Sequence, residues 1–377
     1  MNFALSEEQQ MLQASANEFV KRESSLKRIR ELREDEAGFS RELWGKMAEL
    51  GWHGVLFPEE HGGLGEGMVE MIVVLEELGR GLMPEPVIST VLMGGGALLL
   101  GGSAEQKSTW LPGVIEGEKF LSFGYMERQS RYNPFDVTTT AKKDGEGWVL
   151  DGEKMFVPDA GVSERIIVTA RSAGDRRSRE GVEMFLVDPK ASGVSLTSIP
   201  TMDWRKQYVV KLDGVKVDEA DRLSGGDSGV ALEGTLDRAT VGLAAEMLGG
   251  MNEAFNMTME YLKTRQQFGV PIGSFQALKH RAADEYVQTE LSRSSIYYAA
   301  MTIDENMPDM QRAVSTAKAR CNDAFHLIGN ESIQMHGGIG VTDEHDIGFY
   351  FKRGRVAAVT LGDSEYHRDR YARLKEY

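Results

Sequence analysis

The sequence is short of several things that would otherwise fix its class. It holds one cysteine, Cys321, in 377 residues, so no internal disulfide can form and a reducing, cytoplasmic setting is expected. Long apolar runs are absent. The stretch from Met93 to Gly102 is short and interrupted by glycine, which argues against a bilayer-spanning helix and a membrane role. The first residues, MNFALSEEQQMLQ, carry neither a basic nor an apolar segment, so no signal peptide is expected there. Positive charge is scarce too: 43 Lys and Arg stand against 58 Asp and Glu, a net charge of -15. No basic face large enough to displace many counterions is expected, which excludes nucleic acid as a partner.

Familiar site motifs are also missing. No G-x-G-x-x-G follows a strand and no G-x-x-x-x-G-K-[ST] occurs, so neither a Rossmann dinucleotide site nor a P-loop is supported. The seven histidines include no H-E-x-x-H and no Cys/His cluster, which leaves no catalytic zinc or other metal site. The GDSG at 226–229 sits where a sheet pattern gives way to a helical one, and it reads as a junction.

What is present is a change of hydrophobic period along the chain. Ser6 with Gln9 reads as a capping box opening a helix whose apolar face is Leu12, Ala16, Phe19 and Val20. Helical patterns continue through Leu43 to Leu50 and Met71 to Leu78. From Phe120 the texture turns to short β-branched runs at Val137 to Ala141, Trp148 to Leu150, Ile166 to Ala170, Met184 to Val187 and Val209 to Val217. After Gly225 and Gly226 the helical period returns. Helices, then an antiparallel sheet, then helices give an α+β fold, with expected domains at 1–117, 118–226 and 227–377.

One stretch organises the rest: Tyr261 to Lys279, YLKTRQQFGVPIGSFQALK. Upstream of it Met247, Met251, Phe255, Met259 and Leu262 recur at helical spacing and belong in a core. Lys263, Arg265 and Lys279 then bracket Gly269, Pro271 and Gly273, gathering cations and backbone N–H groups where one helix ends and another begins. Such a corner suits a phosphate, although a capped and solvated helix connection would look the same.

Read as RQQFGVPIGSFQ, residues 265–276 resemble the signature segment of the acyl-CoA dehydrogenase family. QMHGGIG at 334–340, PEEHGGLG at 58–65 and GWVLDGEK at 147–154 resemble further family segments, in family order. The resemblance implies a helical N-terminal domain, a middle β domain and a C-terminal four-helix bundle. It also implies FAD as cofactor and an acyl-CoA thioester as substrate. By the same resemblance Arg265 meets the flavin diphosphate, Phe268 packs on the adenine half, and Gln334, Gly337 and Gly338 take the rest of the adenosine end. Gln267 and Gln276 match positions used beside them. Arginine offers a forked, permanently charged donor set, and glycine lets backbone approach a ligand closely.

The other half of the family site departs from the pattern. The family removes the α-proton with a carboxylate, most often a Glu in an E-G-T segment. Counted without a gap from Gly337, that position is Leu361, followed by Gly362 and Asp363, and leucine cannot accept a proton. In some members the base lies on the helix before the signature segment. Counted back without a gap from Gly269, that position falls on Ala239 and Thr240, with Asp237 and Arg238 two residues earlier. The family's W-I-T run is Phe156, Val157, Pro158, and of its T-E-P-x-A-G-S-D loop only Glu127 remains.

An intact adenosine side beside a thinned flavin-ring side implies a small subunit of a heteromeric enzyme, similar to those of pimeloyl-CoA and steroid side-chain dehydrogenases. A homologous subunit would then carry the catalytic Glu, within a tetramer, and an electron-transfer-flavoprotein-like acceptor would reoxidise the flavin. The alternatives are a self-sufficient homotetramer using Asp237 or another carboxylate, and a non-redox binding or scaffold member of the family.

Overall fold

A computed structural model describes residues 4–376. The chain forms two compact units, one made of residues up to 32, 67–83 and 240 onward, the other of 33–66 and 84–239.

The first unit is helical. Helix α1 (Glu7–Glu23) opens as its sequence requires: the Ser6 hydroxyl accepts from the Gln9 N–H, and the Ser6 N–H donates to Gln9 Oε1 at 2.9 Å. Ala16, Phe19 and Val20 are buried, and the helix packs on α4 (Met68–Arg80). A short α2 (Leu26–Leu32) follows α1. From residue 240 onward, α7 (Ser228–Thr264) belongs to this unit together with α8 (Gln276–Asp304), α9 (Met310–His336), α10 (Ile347–Val359) and α11 (Ser364–Leu374). Helix α9 packs on α8, α10 and α11, burying Val314, Ala317, Cys321, Phe325 and Ile328 at helical spacing.

Two glycines explain how closely α4 and α7 approach. A Cβ on Gly249 would fall 1.8 Å from the Glu76 carbonyl oxygen, and one on Gly79 would fall 2.0 Å from that of Glu246. Only glycine fits there. The Glu76 carboxylate is buried beside this contact, and burial works to raise its pKa. Arg293 Nη1, 2.8 Å from both carboxylate oxygens, and Asn252 Nδ2, at 3.0 Å, satisfy it.

The second unit contains α3 (Arg41–Glu49), a π-helical segment (Val87–Gly95), α5 (Gly96–Gly101), α6 (Ala104–Ile115) and one sheet. Its strands are β1 (Leu121–Gly124), β2 (Thr140–Asp144), β3 (Gly147–Pro158), β4 (Arg165–Arg171), β5 (Val182–Val187), β6 (Val194–Ile199) and β7 (Gln207–Asp218). They run β1-β4-β2-β3-β7-β6, with β5 on β4. Pairing is antiparallel except where β1 and the first residue of β2 run parallel to β4. Leu150, Ile166, Val168, Phe185, Val210 and Leu212 form its core.

The sheet departs from the sequence reading in three places. Strand β1 is buried at every position, so it has no alternation to read. Strand β6 is half exposed and poor in large apolar residues. The strand expected from Val137 starts only at Thr140, because the N–H groups of Thr138 and Thr139 donate to Glu127 instead of to a neighbouring strand. Among the described residues no helix is long and apolar enough to cross a membrane.

Candidate active site

The corner at 265–276 is more than a turn. After α7 ends at Thr264, Gln266–Gln267 and Val270–Pro271 pair as a two-residue hairpin, a 3₁₀ turn follows, and α8 begins at Gln276. The Ile272 N–H donates to the Arg265 carbonyl at 2.8 Å and closes the hairpin base. At its tip Phe268 adopts φ +55° and is 90% exposed, touched edge-on by Phe275 with ring centroids 6.1 Å apart. A non-glycine residue in the left-handed region, with a bare aromatic ring, is strained and poorly solvated. Arg265, Gln267 and Gln276 are exposed as well.

The second segment lies at the end of α9. Gln334 is exposed on the last turn, and Gly337 ends the helix at φ +67° with its N–H donating to the Gln334 and Ile333 carbonyls. A Cβ at Gly269, Gly337 or Gly338 would meet nothing within 4 Å, so the backbone there faces open space. The flanks of both segments share one apolar cluster: Leu262, Ala282 and Met335, with Ile272 and Leu278 against them. Tyr261 stacks on His336 with centroids 4.6 Å apart, and His336 meets His345 at the same distance. These three residues, with Glu253 and Glu260, line a cleft of 380 Å³ beside the corner.

At the position counted for the base, Leu361 is buried in a left-handed turn, φ +58°, followed by Gly362 at φ +114°. Three side chains hold that turn. Lys318 Nζ donates to the carbonyls of Gly362 (3.0 Å) and Ala357 (2.9 Å) and to Asn322 Oδ1 (2.7 Å). Asn322 Nδ2 donates to the Gly362 carbonyl at 3.2 Å, and His367 Nε2 lies 3.0 Å from the Leu361 carbonyl, the donor in that contact. Burial lowers the Lys318 amine to about 7, and burial with the neighbouring Lys318 lowers His367 to about 3. Asp363 is occupied as the N-cap of α11, accepting from the Tyr366 N–H at 2.8 Å. Sequence reasoning missed Lys318, Asn322 and His367. The available signal was a lysine on the buried stripe of α9, where the period demands an apolar residue.

Asp237 belongs to the other unit, buried on α7. So does Glu127, which is turned inward: both it and Lys154 are buried, with Lys154 Nζ 2.7 Å from Glu127 Oε1 and 2.9 Å from Thr169 Oγ1. Burial alone would raise Glu127, but the Lys154 ammonium and the donors of Thr138 and Thr139 hold it at about 2. Phe156 stands at a bulge in β3, at φ +52° and half exposed, while the Pro158 carbonyl accepts from Ser122 Oγ at 2.7 Å. Among the described residues no group of three or more His, Cys, Asp or Glu could hold a metal ion.

Models of the acyl-CoA dehydrogenase N-terminal, middle and C-terminal domains match residues 6–118, 122–215 and 228–374. The chain belongs to the acyl-CoA dehydrogenase family of oxidoreductases, as its motifs implied. It is 32% identical to the acyl-CoA dehydrogenase IpdE2 of Mycolicibacterium smegmatis, over 95% of this chain and 96% of that protein. Among solved structures it is similar to the ChsE4-ChsE5 complex from Mycobacterium tuberculosis, at 30% identity and a TM-score of 0.91, covering 100% of this chain and 99% of that one. It also resembles a variant of the Tcur3481-Tcur3483 steroid ACAD, at 32% identity and a TM-score of 0.89, covering 98% of both chains.

Proposed function

We propose that this chain is the base-lacking small subunit of a heteromeric acyl-CoA dehydrogenase, which introduces an α,β double bond into an acyl-CoA thioester during lipid degradation. The observation that carries the reading is the turn at Leu361 and Gly362. It is built and clamped, yet its own side chain is apolar and the groups bonded to it are an amine, an amide and an imidazole. Two of the similar structures, ChsE4-ChsE5 and Tcur3481-Tcur3483, are two-protein assemblies by name, which supports a partner. The domains in this reading are 1–117, 118–226 and 227–377.

The residues present fit the adenosine end of FAD. The Arg265 guanidinium has no hydrogen-bond or ion-pair partner among the described residues, and the backbone at Gly269, Gly337 and Gly338 leaves room for a ligand. In this reading Arg265 binds the diphosphate as a charged fork, and Phe268 covers the adenine half. Gln267, Gln276 and Gln334 offer both donors and acceptors around it. When bound, FAD accepts the hydride that leaves the β-carbon. The α-proton passes to a glutamate of a homologous subunit, within a tetramer that hands its electrons to an electron-transfer-flavoprotein-like acceptor.

One observation favours a second reading. Asp237 is a buried carboxylate on α7, and a desolvated carboxylate is what α-proton abstraction requires. The chain would then be a self-sufficient homotetramer. Purification of the chain alone and with a homologous partner separates these readings. The heteromer is yellow and bleaches with an acyl-CoA only when the partner is present; the homotetramer does so alone. A protein colourless in every combination would be a binding or scaffold member instead.

A further inference from the structure

Towards its end α7 carries two faces. Phe255, Met259 and Leu262 meet the apolar cluster shared with α8 and α9, while Glu253, Asn256, Glu260 and Thr264 recur every three or four residues on another face. That second face is the floor of the 380 Å³ cleft, with His336 at the end of α9 as one wall and His345 of the 343–346 loop as another. The loop is tied down. The Arg30 guanidinium donates to the carbonyls of Asp343 and Glu344 at 2.5 and 3.1 Å and to Asp346 Oδ1 at 2.8 Å, with Cζ 4.6 Å from the Phe349 ring centroid. A cleft with a fixed wall has little entropy left to lose when it is filled.

Charge in the cleft has one sign. Among the described residues no lysine or arginine lines it. Glu260 is answered by Lys263 at 2.7 Å, and the aspartates of the loop by Arg30 and Lys352. Glu253 is half-buried and has no hydrogen-bond or ion-pair partner among the described residues. A second acceptor lies in the same wall. His336 is 3% exposed, and its Nδ1 stands 2.7 Å from the Ser332 carbonyl, which can only accept, so Nδ1 carries the ring proton. Burial lowers the His336 pKa and keeps the ring neutral. Nε2 is then left with a lone pair and no partner among the described residues.

An unpaired carboxylate, an imidazole lone pair and the Asn256 amide, beside the stacked rings of Tyr261 and His336, suit a flat cation with several N–H donors. A guanidinium is such a group; an ammonium has fewer donors and no plane to stack. Asn256, Glu260 and Thr264 on the floor are exposed, so the cleft is too open to enclose a free small molecule. A side chain carried on a protein surface brings its own cover. Thr264 directly precedes Arg265, so the cleft runs into the corner whose tip, Phe268, is 90% exposed and calls for a covering surface. We propose that this cleft is the socket for an arginine side chain of the homologous partner subunit. The proposal rests on the reading of this chain as a small subunit.

The test is calorimetric titration of the full chain with the homologous subunit, comparing wild type with Glu253→Gln. The expected result is a Kd for the complex raised about tenfold or more, as the loss of a charge-assisted bond requires. The isolated variant should unfold at the same urea concentration as wild type. One surface arginine of the partner, changed to glutamine, should give the same loss, and the two changes together should lose no more than either alone. An unchanged Kd in Glu253→Gln overturns the socket. So does earlier unfolding of the isolated variant, which would assign Glu253 to the fold. Losses that add with every partner arginine, or that fail to add only with a lysine, overturn the guanidinium. Binding of butylguanidinium to the free chain with a Kd below about 1 mM would make the cleft a small-molecule site and overturn the partner as its occupant. If the chain forms no complex with a homologous subunit, the small-subunit reading falls and the socket with it, whereas a complex indifferent to Glu253 removes the socket alone.

Discussion

Lys154 and Glu127 meet at 2.7 Å with both side chains out of reach of solvent, so the one residue kept from the T-E-P-x-A-G-S-D pattern is an internal strut of the β unit. The Glu127 carboxylate also accepts from Thr138, Thr139 and Gln129, which pins the 127–139 loop to β3. Removing one partner leaves a buried charge without compensation. Lys154→Met should therefore destabilise the protein by about 3 to 5 kcal/mol, measured by denaturant unfolding. A Glu127→Gln/Lys154→Met double variant should recover a large part of that loss. Equal losses in the single and the double variant would show that packing, and not the pair, matters.

Glu285 is a different buried carboxyl. It is fully buried on α8, and neither oxygen has a hydrogen-bond partner. Burial first, then the Glu331 charge, raises its pKa from 4.5 to about 8. Between those values the folded protein holds a proton that the unfolded chain releases, so this group lowers stability as pH rises from about 4.5 to about 8. Glu285→Gln removes the titration. Its stability relative to wild type should rise across that window, reach roughly 1 to 3 kcal/mol near pH 8, and then level off. Urea unfolding at several pH values checks this, and a difference that does not vary with pH would count against it.

Arg265→Ala should weaken flavin retention in the assembled enzyme. A charge-assisted donor pair to a diphosphate is worth roughly 1.5 to 3 kcal/mol, or about ten- to a hundredfold in affinity. Arg265→Lys should restore only part of it, since a point charge cannot reproduce the fork. Flavin content from absorbance decides, and an unchanged value in the Ala variant would remove Arg265 from the site.

Asp237→Asn keeps the side-chain shape and deletes the carboxylate. If the base belongs to the partner, turnover of the assembled enzyme stays within about tenfold, or roughly 1.4 kcal/mol of barrier. Loss of an essential general base costs about two to four orders of magnitude. A loss on that scale, with flavin content and assembly intact, would hand the chemistry to this chain.

Much of the fold was legible because its signals are local. The Ser6–Gln9 capping box needed only one turn of helix to be read and the stripe from Met247 to Leu262 only a single helix, and α1 and α7 carry them. The corner at 265–276 was legible as a place where helices meet, but not as a hairpin with Phe268 at its exposed tip, since strands of two residues leave no period to detect. Strand β1 gave no alternation because tertiary packing covers both of its faces. Around Leu361 the apolar substitution was visible, whereas the clamp was not. Lys318 and His367 lie 43 residues before and 6 after it, and only folding brings them to one turn.

Cys321 is fully buried on α9, and burial pushes its thiol up to about 12. At ordinary pH the only native sulfhydryl is therefore neither ionised nor reachable, and the protein as it stands is silent towards thiol-directed labels. A cysteine put in place of Phe268 would be the single reactive handle on the molecule, with no native residue to remove first. A fluorophore attached there would report directly whether the hairpin tip of the free chain stands in water and whether assembly covers it.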